Sequence, residues 1–191
     1  MGATFAFRRR GTAEWVSYRA NTWQPCNLRN RRRTFAVLKS LHPDDFETLC
    51  AEVLKKLGAQ SDRTQSTRDG GVDFYGFNFS GVTGTLPFPI VSRAMVVGQA
   101  KRWVDQIVSE TELRKFVGGA LHEVEKFRDR PDFGILSPVV YAFWTTSDFD
   151  RNAREYATAM GIWTMAGPTL AAYIDELTLT SAVDRLLDSR S

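Results

Sequence analysis

An acid, an amide and a lysine lie in two neighbouring segments that both have the composition of β-strands. Asp73 lies in a run of aromatic and β-branched residues, and Gln99 and Lys101 lie two positions apart in the next such run. Alternate side chains of a strand share a face, so Gln99 and Lys101 point the same way while Ala100 points into packing. We therefore expect an oxygen ligand and an ammonium group to flank one spot.

These groups suit the hydrolysis of a phosphodiester, provided that Asp73 lies beside the strand of Gln99 and Lys101. A carboxylate and an amide oxygen are hard donors that suit Mg²⁺, an ion that keeps most of its waters and binds phosphate. Such a metal acidifies a bound water and neutralises charge on the phosphoryl oxygens. Lys101 would orient or deprotonate the attacking water and stabilise the transition state. Glu47, on the first predicted helix of the domain, is a further acid of this group.

Spacing alone also allows a purely structural interpretation, because an Asp followed some 26 positions later by Gln-x-Lys occurs by chance in many proteins. Lys101 would then be a surface charge at a strand end, Asp69 and Asp73 turn and cap residues, and Glu47 part of a solvated helix face. Other chemistries have less support. The sequence has no Walker loop, no GxSxG and no HExxH motif, its two histidines are isolated, and its two cysteines lack CxxC spacing.

The segments that must position these residues alternate between helices and strands from Leu41 onward. We predict, in order, a helix at 43–57, strands at 72–77 and 94–103, a helix after 109, a strand at 139–146, a helix at 150–161, a strand at 162–165 and helices at 168–177 and 181–187. The interval 78–91 reads as a hairpin or an extended excursion. Ser109 and Glu112 form a capping-box pattern, and Gly118 and Gly119 predict a close approach to the sheet. This order predicts an α/β fold with a mixed central sheet and helices on both faces.

Basic charge is concentrated at the beginning of the chain. Residues 1–40 hold nine of the 25 Lys and Arg residues and one of the 22 acids, which gives this segment a net charge of +8. The other 151 residues have a net charge of −5, and the whole chain has a net charge of +3. We therefore divide the chain into a basic N-terminal arm or linker, 1–40, and a domain, 41–191. Such an arm favours a polyanion as partner, nucleic acid first and an anionic membrane surface second, or is a solvated extension.

The arm also contains Trp15, Tyr18 and Trp23 between its arginines. Stacking aromatics combined with phosphate contacts are typical of proteins that hold nucleic acid without reading its sequence. The same aromatics could instead pack against the domain, or the arm could be the remnant of a longer protein. Neither a long apolar span nor a signal-peptide pattern is present, which predicts a cytoplasmic protein without a membrane partner.

Five ordered blocks carry a resemblance to a known family. They are LHPDDFETL at 41–49, TRDGGVD at 67–73, QAKRW at 99–103, FVGGA at 116–120 and WTTSDF at 144–149. Together they resemble the Mrr-type restriction endonuclease catalytic domain, a branch of the PD-(D/E)xK nuclease superfamily in which glutamine replaces the second acid. The resemblance covers about 41–177 and implies a restriction-endonuclease-like mixed sheet flanked by helices.

The resemblance implies a role for each motif residue. Asp73 matches the metal-binding aspartate, Gln99 the replaced acidic ligand and Lys101 the catalytic lysine of the family. Glu47 matches the helix glutamate that completes the site through metal or water. Asp69 matches a characteristic position that shapes the turn or contacts metal or DNA. The implied cofactor is Mg²⁺ or Mn²⁺.

DNA is the partner that the resemblance implies. The basic side chains expected to contact it are Arg8, Arg9, Arg10, Arg31, Arg32, Arg33 and Arg102. The segment 145–147 matches the family's strand end, and we expect it to cap the following helix or, alternatively, to contact phosphate. The long interval between Asp73 and Gln99 would be a specificity element or an elaboration.

The resulting hypothesis is an Mg²⁺-dependent DNA endonuclease of restriction or defence against foreign DNA, acting with other components of a defence system. We expect a homodimer, because cleavage of both strands usually requires two active sites. Two alternatives stay open. One is a DNA-binding protein on a nuclease fold with little activity, and the other is a structure-selective repair or junction nuclease.

Overall fold

The structure of the protein is a computed structural model. It describes residues 4–8, 15–19, 22–23, 28–64, 71–79, 94–130, 133–134 and 136–188, with side chains described from Arg31 onward. The elements are β1 Thr4–Arg8, β2 Trp15–Arg19, β3 Thr22–Trp23, α1 Leu28–Ser40, α2 Pro43–Lys56, β4 Gln60–Arg63, β5 Phe74–Phe79, β6 Ala94–Lys101, α3 Glu110–Glu125, β7 Val139–Thr145, α4 Arg151–Met160, β8 Trp163–Met165, α5 Gly167–Glu176 and α6 Thr180–Asp188. No helix of the described residues is long and apolar enough to cross a membrane.

The central sheet has five strands in the order β4-β5-β6-β7-β8. β4, β5 and β6 are antiparallel neighbours, whereas β6, β7 and β8 run parallel. Parallel neighbours need a crossover, which α3 supplies between β6 and β7 and α4 between β7 and β8. The predicted mixed sheet is confirmed. A separate three-stranded antiparallel sheet contains β1, β2 and β3.

Helices cover both faces of the five-stranded sheet, as predicted. On one face, α1, α2, α5 and α6 bury a core that includes Phe46, Phe74 and Trp144. On the other face, α3 and α4 bury a second core that includes Phe116 and Phe143. The residues of β6 alternate between the two cores, so successive side chains of this strand face opposite helix layers.

β4 is a strand that the sequence pattern does not predict. Its residues Gln60–Arg63 are polar, and Ser61 alone is buried among them. Strand patterns depend on apolar residues that pack against a core, and an edge strand with a single buried serine has no such pattern. The predicted excursion at 78–91 begins inside β5, and its residues 80–91 lie outside the described part of the chain.

The N-terminal segment has more regular structure than expected. The absence of a period up to Thr34 predicts an irregular arm, but β1, β2, β3 and α1 lie there. α1 packs against α5, where the Thr34 hydroxyl donates to Asp175 Oδ1 (2.7 Å) and Leu38 is fully buried. The apolar face of α1 is short and lies among arginines, which hides it from a pattern search.

The expectations about helix caps and about Gly118 are confirmed in part. Asp150 accepts from the Ala153 amide (2.7 Å) and so caps α4 as predicted, and Gly161 ends that helix at φ 68°. Ser109 precedes α3 but makes no side-chain capping bond. Gly118 is exposed, and no heavy atom lies within 4 Å of where its Cβ would be, so the predicted close approach is wrong there.

A real close approach occurs instead at Gly98. A Cβ on this residue would lie 2.1 Å from Cζ of Phe74, so the Phe74 ring fills the space that a side chain would need. The ring is fully buried and packs on Trp144 with centroids 4.7 Å apart. Phe74 and Gly98 are register partners, and this contact therefore fixes β5 against β6.

We expect Gly98→Ala to lower the free energy of unfolding by about 1–3 kcal/mol, because the added methyl group must displace a buried ring. Urea unfolding measures the loss. Gly118→Ala is the matched control and should be neutral or stabilising by up to ~1 kcal/mol, since alanine favours an exposed helix. In the Phe74→Leu background, Gly98→Ala should lower the free energy of unfolding by less than it does in the wild-type protein. An equal cost in both backgrounds would contradict the contact.

Candidate active site

Asp73 lies immediately before β5 and is held by the backbone of β6. Its amide donates to the Gly98 carbonyl (2.8 Å), and its Oδ2 accepts from the Ala100 amide (2.8 Å). Burial raises the pKa of the Asp73 carboxyl, while the bond from Ala100 and the charges of Lys101 and Arg63 lower it, with a net rise. A partly buried carboxylate is thus fixed at the end of the sheet with one oxygen engaged.

Gln99 and Lys101 lie on the strand that holds Asp73. Gln99 is buried, with 8% exposure, and a Cβ on Gly71 would lie 3.6 Å from its Nε2. Lys101 is the last residue of β6 and is partly buried beside its register partner Thr145. Ala100, between them, is buried in the core beneath α2, so the amide and the ammonium group share the other face.

Glu47 approaches the same region from α2. Its pKa is raised from 4.5 to about 7, mainly by burial and then by the charge of Asp73, against the opposing charges of Arg63 and Lys101. Arg63 Nε lies 3.9 Å from Glu47 Oε2, and its Nη1 donates to the carbonyl of Asp44 (3.1 Å). The charge of Asp73 thus opposes the ionisation of Glu47, and the two cations partly offset it.

The structure therefore brings Glu47, Asp73 and Lys101 into one electrostatic cluster, with Gln99 adjacent on β6. Arg63 is an additional member that the sequence reasoning missed, because it belongs to the polar strand β4 that no pattern reveals. The remaining acid of the motif, at position 69, lies outside the described residues.

The basic residues expected to contact DNA have different placements. Arg8 ends β1, with only its backbone described, and Arg9 and Arg10 lie outside the described residues. Arg32 and Arg33 are exposed on α1.

Two further arginines of this group have buried surroundings. Arg31 Nη2 lies 3.3 Å from Glu176 Oε1 and so ties α1 to α5. Arg102 follows β6, and its Nε is buried without a hydrogen-bond partner in the described part of the chain. Neither side chain is simply a solvated charge.

The strand-end segment Thr145–Ser147 does not cap α4, and its hydroxyls donate to backbone carbonyls. The hydroxyl of Thr145 donates to the Lys101 carbonyl (2.8 Å), and that of Thr146 donates to the Trp103 carbonyl (2.7 Å). The hydroxyl of Ser147 donates to the Gln106 carbonyl, so the expectation that Ser147 caps α4 is wrong. All three side chains hold the backbone that follows β6.

The donor set is suited to a hard divalent cation. Glu47, Asp73 and Gln99 offer two carboxylates and an amide oxygen, and such oxygen ligands are those that Mg²⁺ and Mn²⁺ prefer. No group of three or more His, Cys, Asp or Glu residues that could hold a metal occurs in the described ranges. Here the third donor is an amide, and a cation would offset both the burial and the charge of Asp73 that raise the pKa of Glu47.

Comparison with solved structures supports the fold. The chain is similar to the MspJI restriction endonuclease, solved in complex with a 27-mer oligonucleotide, with 22% identity, a TM-score of 0.54, and coverage of 86% of this chain and 37% of that one. It is also similar to the DNA modification-dependent restriction endonuclease AspBHI, with 17% identity, a TM-score of 0.55, and coverage of 84% and 40%. The chain thus spans about two fifths of the length of these enzymes.

Family comparison gives the assignment. No curated protein matches the chain. The family model of the restriction endonuclease Mrr catalytic domain matches residues 38–174, which is most of the sequence and includes Glu47, Asp73, Gln99 and Lys101. The five-stranded sheet and its two helix layers agree with the restriction endonuclease fold of the two solved structures. The chain therefore belongs to the restriction endonuclease family, within which it carries an Mrr-type catalytic domain.

Proposed function

We propose that this protein is a divalent-metal-dependent DNA endonuclease that hydrolyses phosphodiester bonds in restriction or defence against foreign DNA. The observation that carries the proposal is the bond from the Ala100 amide to Asp73, which fixes a carboxylate beside Lys101 and within electrostatic reach of Glu47. Membership of the restriction endonuclease family supports DNA as the substrate. In this proposal the protein acts in the cytoplasm, as a homodimer and with other defence components.

Asp73, Gln99 and Glu47 would hold Mg²⁺ or Mn²⁺, which when bound supplies a more acidic water and neutralises phosphoryl charge. Asp73 is fixed for this task because one of its oxygens accepts from Ala100, and the other, which bonds to none of the described residues, would act as the ligand. Gln99 adds a neutral oxygen donor from a buried position. Arg63, whose Nε lies 3.9 Å from Glu47 Oε2, partly offsets the charge of that carboxylate.

Lys101 would act on the reacting groups directly. Its ammonium group lies at the end of β6, on the face of the strand that Gln99 shares. From there it would orient the attacking water and stabilise the negative charge that develops on the phosphate. Its flexible four-carbon stem places this charge accurately only if the backbone of Lys101 is rigid.

We expect Asp73→Asn and Lys101→Met each to lower the rate of Mg²⁺-dependent plasmid cleavage by about a hundredfold or more, since each removes a preorganised charge. DNA binding by gel shift should persist. Asp129→Asn, at an exposed aspartate after α3, is the matched control and should cleave normally.

Cleavage that survives both substitutions would overturn the assignment. Wild-type binding of DNA without metal-dependent turnover would support a DNA-binding protein on this fold. Preference for flaps or four-way junctions over a duplex would instead support a repair or junction nuclease.

Glu47 makes the stability of the metal-free protein depend on pH. Its pKa in the folded protein, about 7, lies above its ordinary value of 4.5, so its stabilising contribution is complete below pH 4.5 and is lost as the pH rises through 7. In EDTA, the melting temperature should therefore fall from pH 5 to pH 8, and Glu47→Gln should flatten this fall. Mg²⁺ should raise the melting temperature more at pH 8 than at pH 5. Parallel curves for the two proteins would contradict this origin.

The exposed arginines should contribute to DNA binding through phosphate contacts. Neutralising Arg32 and Arg33 together, or residues 8–10 together, should weaken binding and reduce the salt-dependence slope by about 0.9 for each phosphate contact that the substitutions remove. Arg151→Gln, at an exposed arginine of α4, is the matched control for nonspecific charge. Fluorescence anisotropy across a salt series measures the slope, and an equal slope in all four proteins would remove these arginines from the interface.

Substitution is the appropriate test here, because removal of residues 1–33 would cut into α1. That helix begins at Leu28, and its Arg31 bonds to α5. A deletion would therefore change the packing of the domain together with its charge.

A further inference from the structure

We propose that Thr145 and Thr146 are positioning residues for Lys101. Together they form a threonine clamp that fixes the backbone from which the lysine side chain extends. The inference rests on the proposed nuclease function, in which Lys101 acts on the reacting groups.

The clamp converges on one carbonyl. The Lys101 carbonyl accepts from the Thr145 hydroxyl (2.8 Å), from the Thr146 amide (3.1 Å) and from the Trp103 amide (3.1 Å). Thr145 and Thr146 are both 0% exposed. A buried hydroxyl without a partner costs free energy, so these side chains must keep their carbonyl acceptors. The bonds are therefore constraints on the Lys101 backbone and not occasional contacts.

The position of Lys101 in the sheet explains why it needs such a constraint. It is the last residue of β6, and its pairing with Thr145 is the last of the parallel ladder between β6 and β7. Beyond it the chain leaves the sheet and loses the regular bonds that hold the preceding strand. A long side chain on a loose strand end would sample many positions. The threonine clamp takes the place of the missing ladder bonds at Lys101, the residue whose position would affect the reaction.

The clamp also continues along the segment after Lys101. The Thr146 hydroxyl donates to the Trp103 carbonyl (2.7 Å), and the Ser147 hydroxyl donates to the Gln106 carbonyl. Three carbonyls within six residues are thus held from β7 and its extension. This segment begins directly after Lys101, so the bonds that hold it also restrict the movement of the Lys101 backbone.

α5 in turn holds the clamp. The Gly167 amide donates to the Ser147 carbonyl (2.9 Å), and a Cβ on Gly167 would lie 2.4 Å from the Thr146 carbonyl oxygen. The beginning of α5 therefore packs directly on the backbone of the clamp. Both threonine side chains are fully buried and their hydroxyls donate to backbone carbonyls, which favours positioning over direct contact with phosphate.

Thr145→Val removes the hydroxyl and keeps the shape, whereas Thr145→Ser keeps the hydroxyl. We expect the valine variant to lower kcat by about ten- to a hundredfold, because small misplacements of a reacting group have effects of this size. KM for DNA should stay within about twofold, and the serine variant should cleave at nearly the wild-type rate. Steady-state cleavage of a fluorescent duplex at varied DNA concentration, below the melting temperature of each variant, measures these values.

Thr34→Val is the matched control. It also removes a buried hydroxyl bond, the one to Asp175, but on α1. It should lower the melting temperature at least as much as Thr145→Val, because its acceptor is a carboxylate, while kcat stays unchanged. If Thr145→Val does not fold, Thr146→Val, which removes the bond to Trp103, should lower kcat in the same direction. Equal kcat in the valine and serine variants at position 145, or an equal loss in Thr34→Val, would overturn the proposal.

Amide hydrogen exchange separates the clamp from the nuclease function. The Thr146 amide should exchange slowly in the wild-type protein and faster in Thr145→Val, whether or not the protein cleaves DNA. Fast exchange in the wild type would overturn the clamp itself. A protected Thr146 amide in a wild-type protein without metal-dependent cleavage would overturn the proposed function, and with it the role of the clamp in positioning a catalytic lysine.

Discussion

The ring of Phe74 lies where any residue other than glycine at position 98 would carry its side chain, and the candidate site depends on this contact. Asp73 precedes the ring, and Gln99 follows the glycine. Since Phe74 and Gly98 are register partners, their packing sets the acid beside the amide and brings the Asp73 carboxylate within 2.8 Å of the Ala100 amide. A slip of one residue would turn these side chains to opposite faces of the sheet. One core contact thus determines the geometry of the candidate site.

The charges of the site explain why a glutamine suits position 99. Burial raises the pKa of both Glu47 and Asp73, and the charge of Asp73 raises the pKa of Glu47 further. Lys101 and Arg63 offset these two charges, so the cluster is close to neutral without a metal. A third carboxylate at the buried position 99 would add repulsion and desolvation at once. The neutral amide keeps an oxygen donor there at a lower cost, and in exchange it attracts a cation less strongly.

The sequence predicts those parts of the fold whose residues have a periodic burial pattern. Alternation along β6 is sufficient to place Gln99 and Lys101 on one face. β4 has no such pattern, and Arg63 is therefore missed together with its strand. The hydroxyl of Thr145 is missed for a different reason. Its acceptor, the Lys101 carbonyl, lies 44 residues earlier in the chain, and a side-chain bond to a distant backbone group leaves no local signature.

In the sequence, the arginines of α1 obscure the fact that this helix packs against the rest of the domain. Its arginines suggest a solvated arm, yet Phe35 packs so closely on Gly167 that a Cβ there would lie 2.4 Å from the ring, and Thr34 bonds to Asp175. The helix begins ten residues before the part of the chain that the family model matches and still completes the core of the domain. The backbone that carries exposed arginines on a packed helix is already ordered when a partner binds. Phosphate contacts from Arg32 and Arg33 would therefore cost less ordering entropy than contacts from a flexible arm.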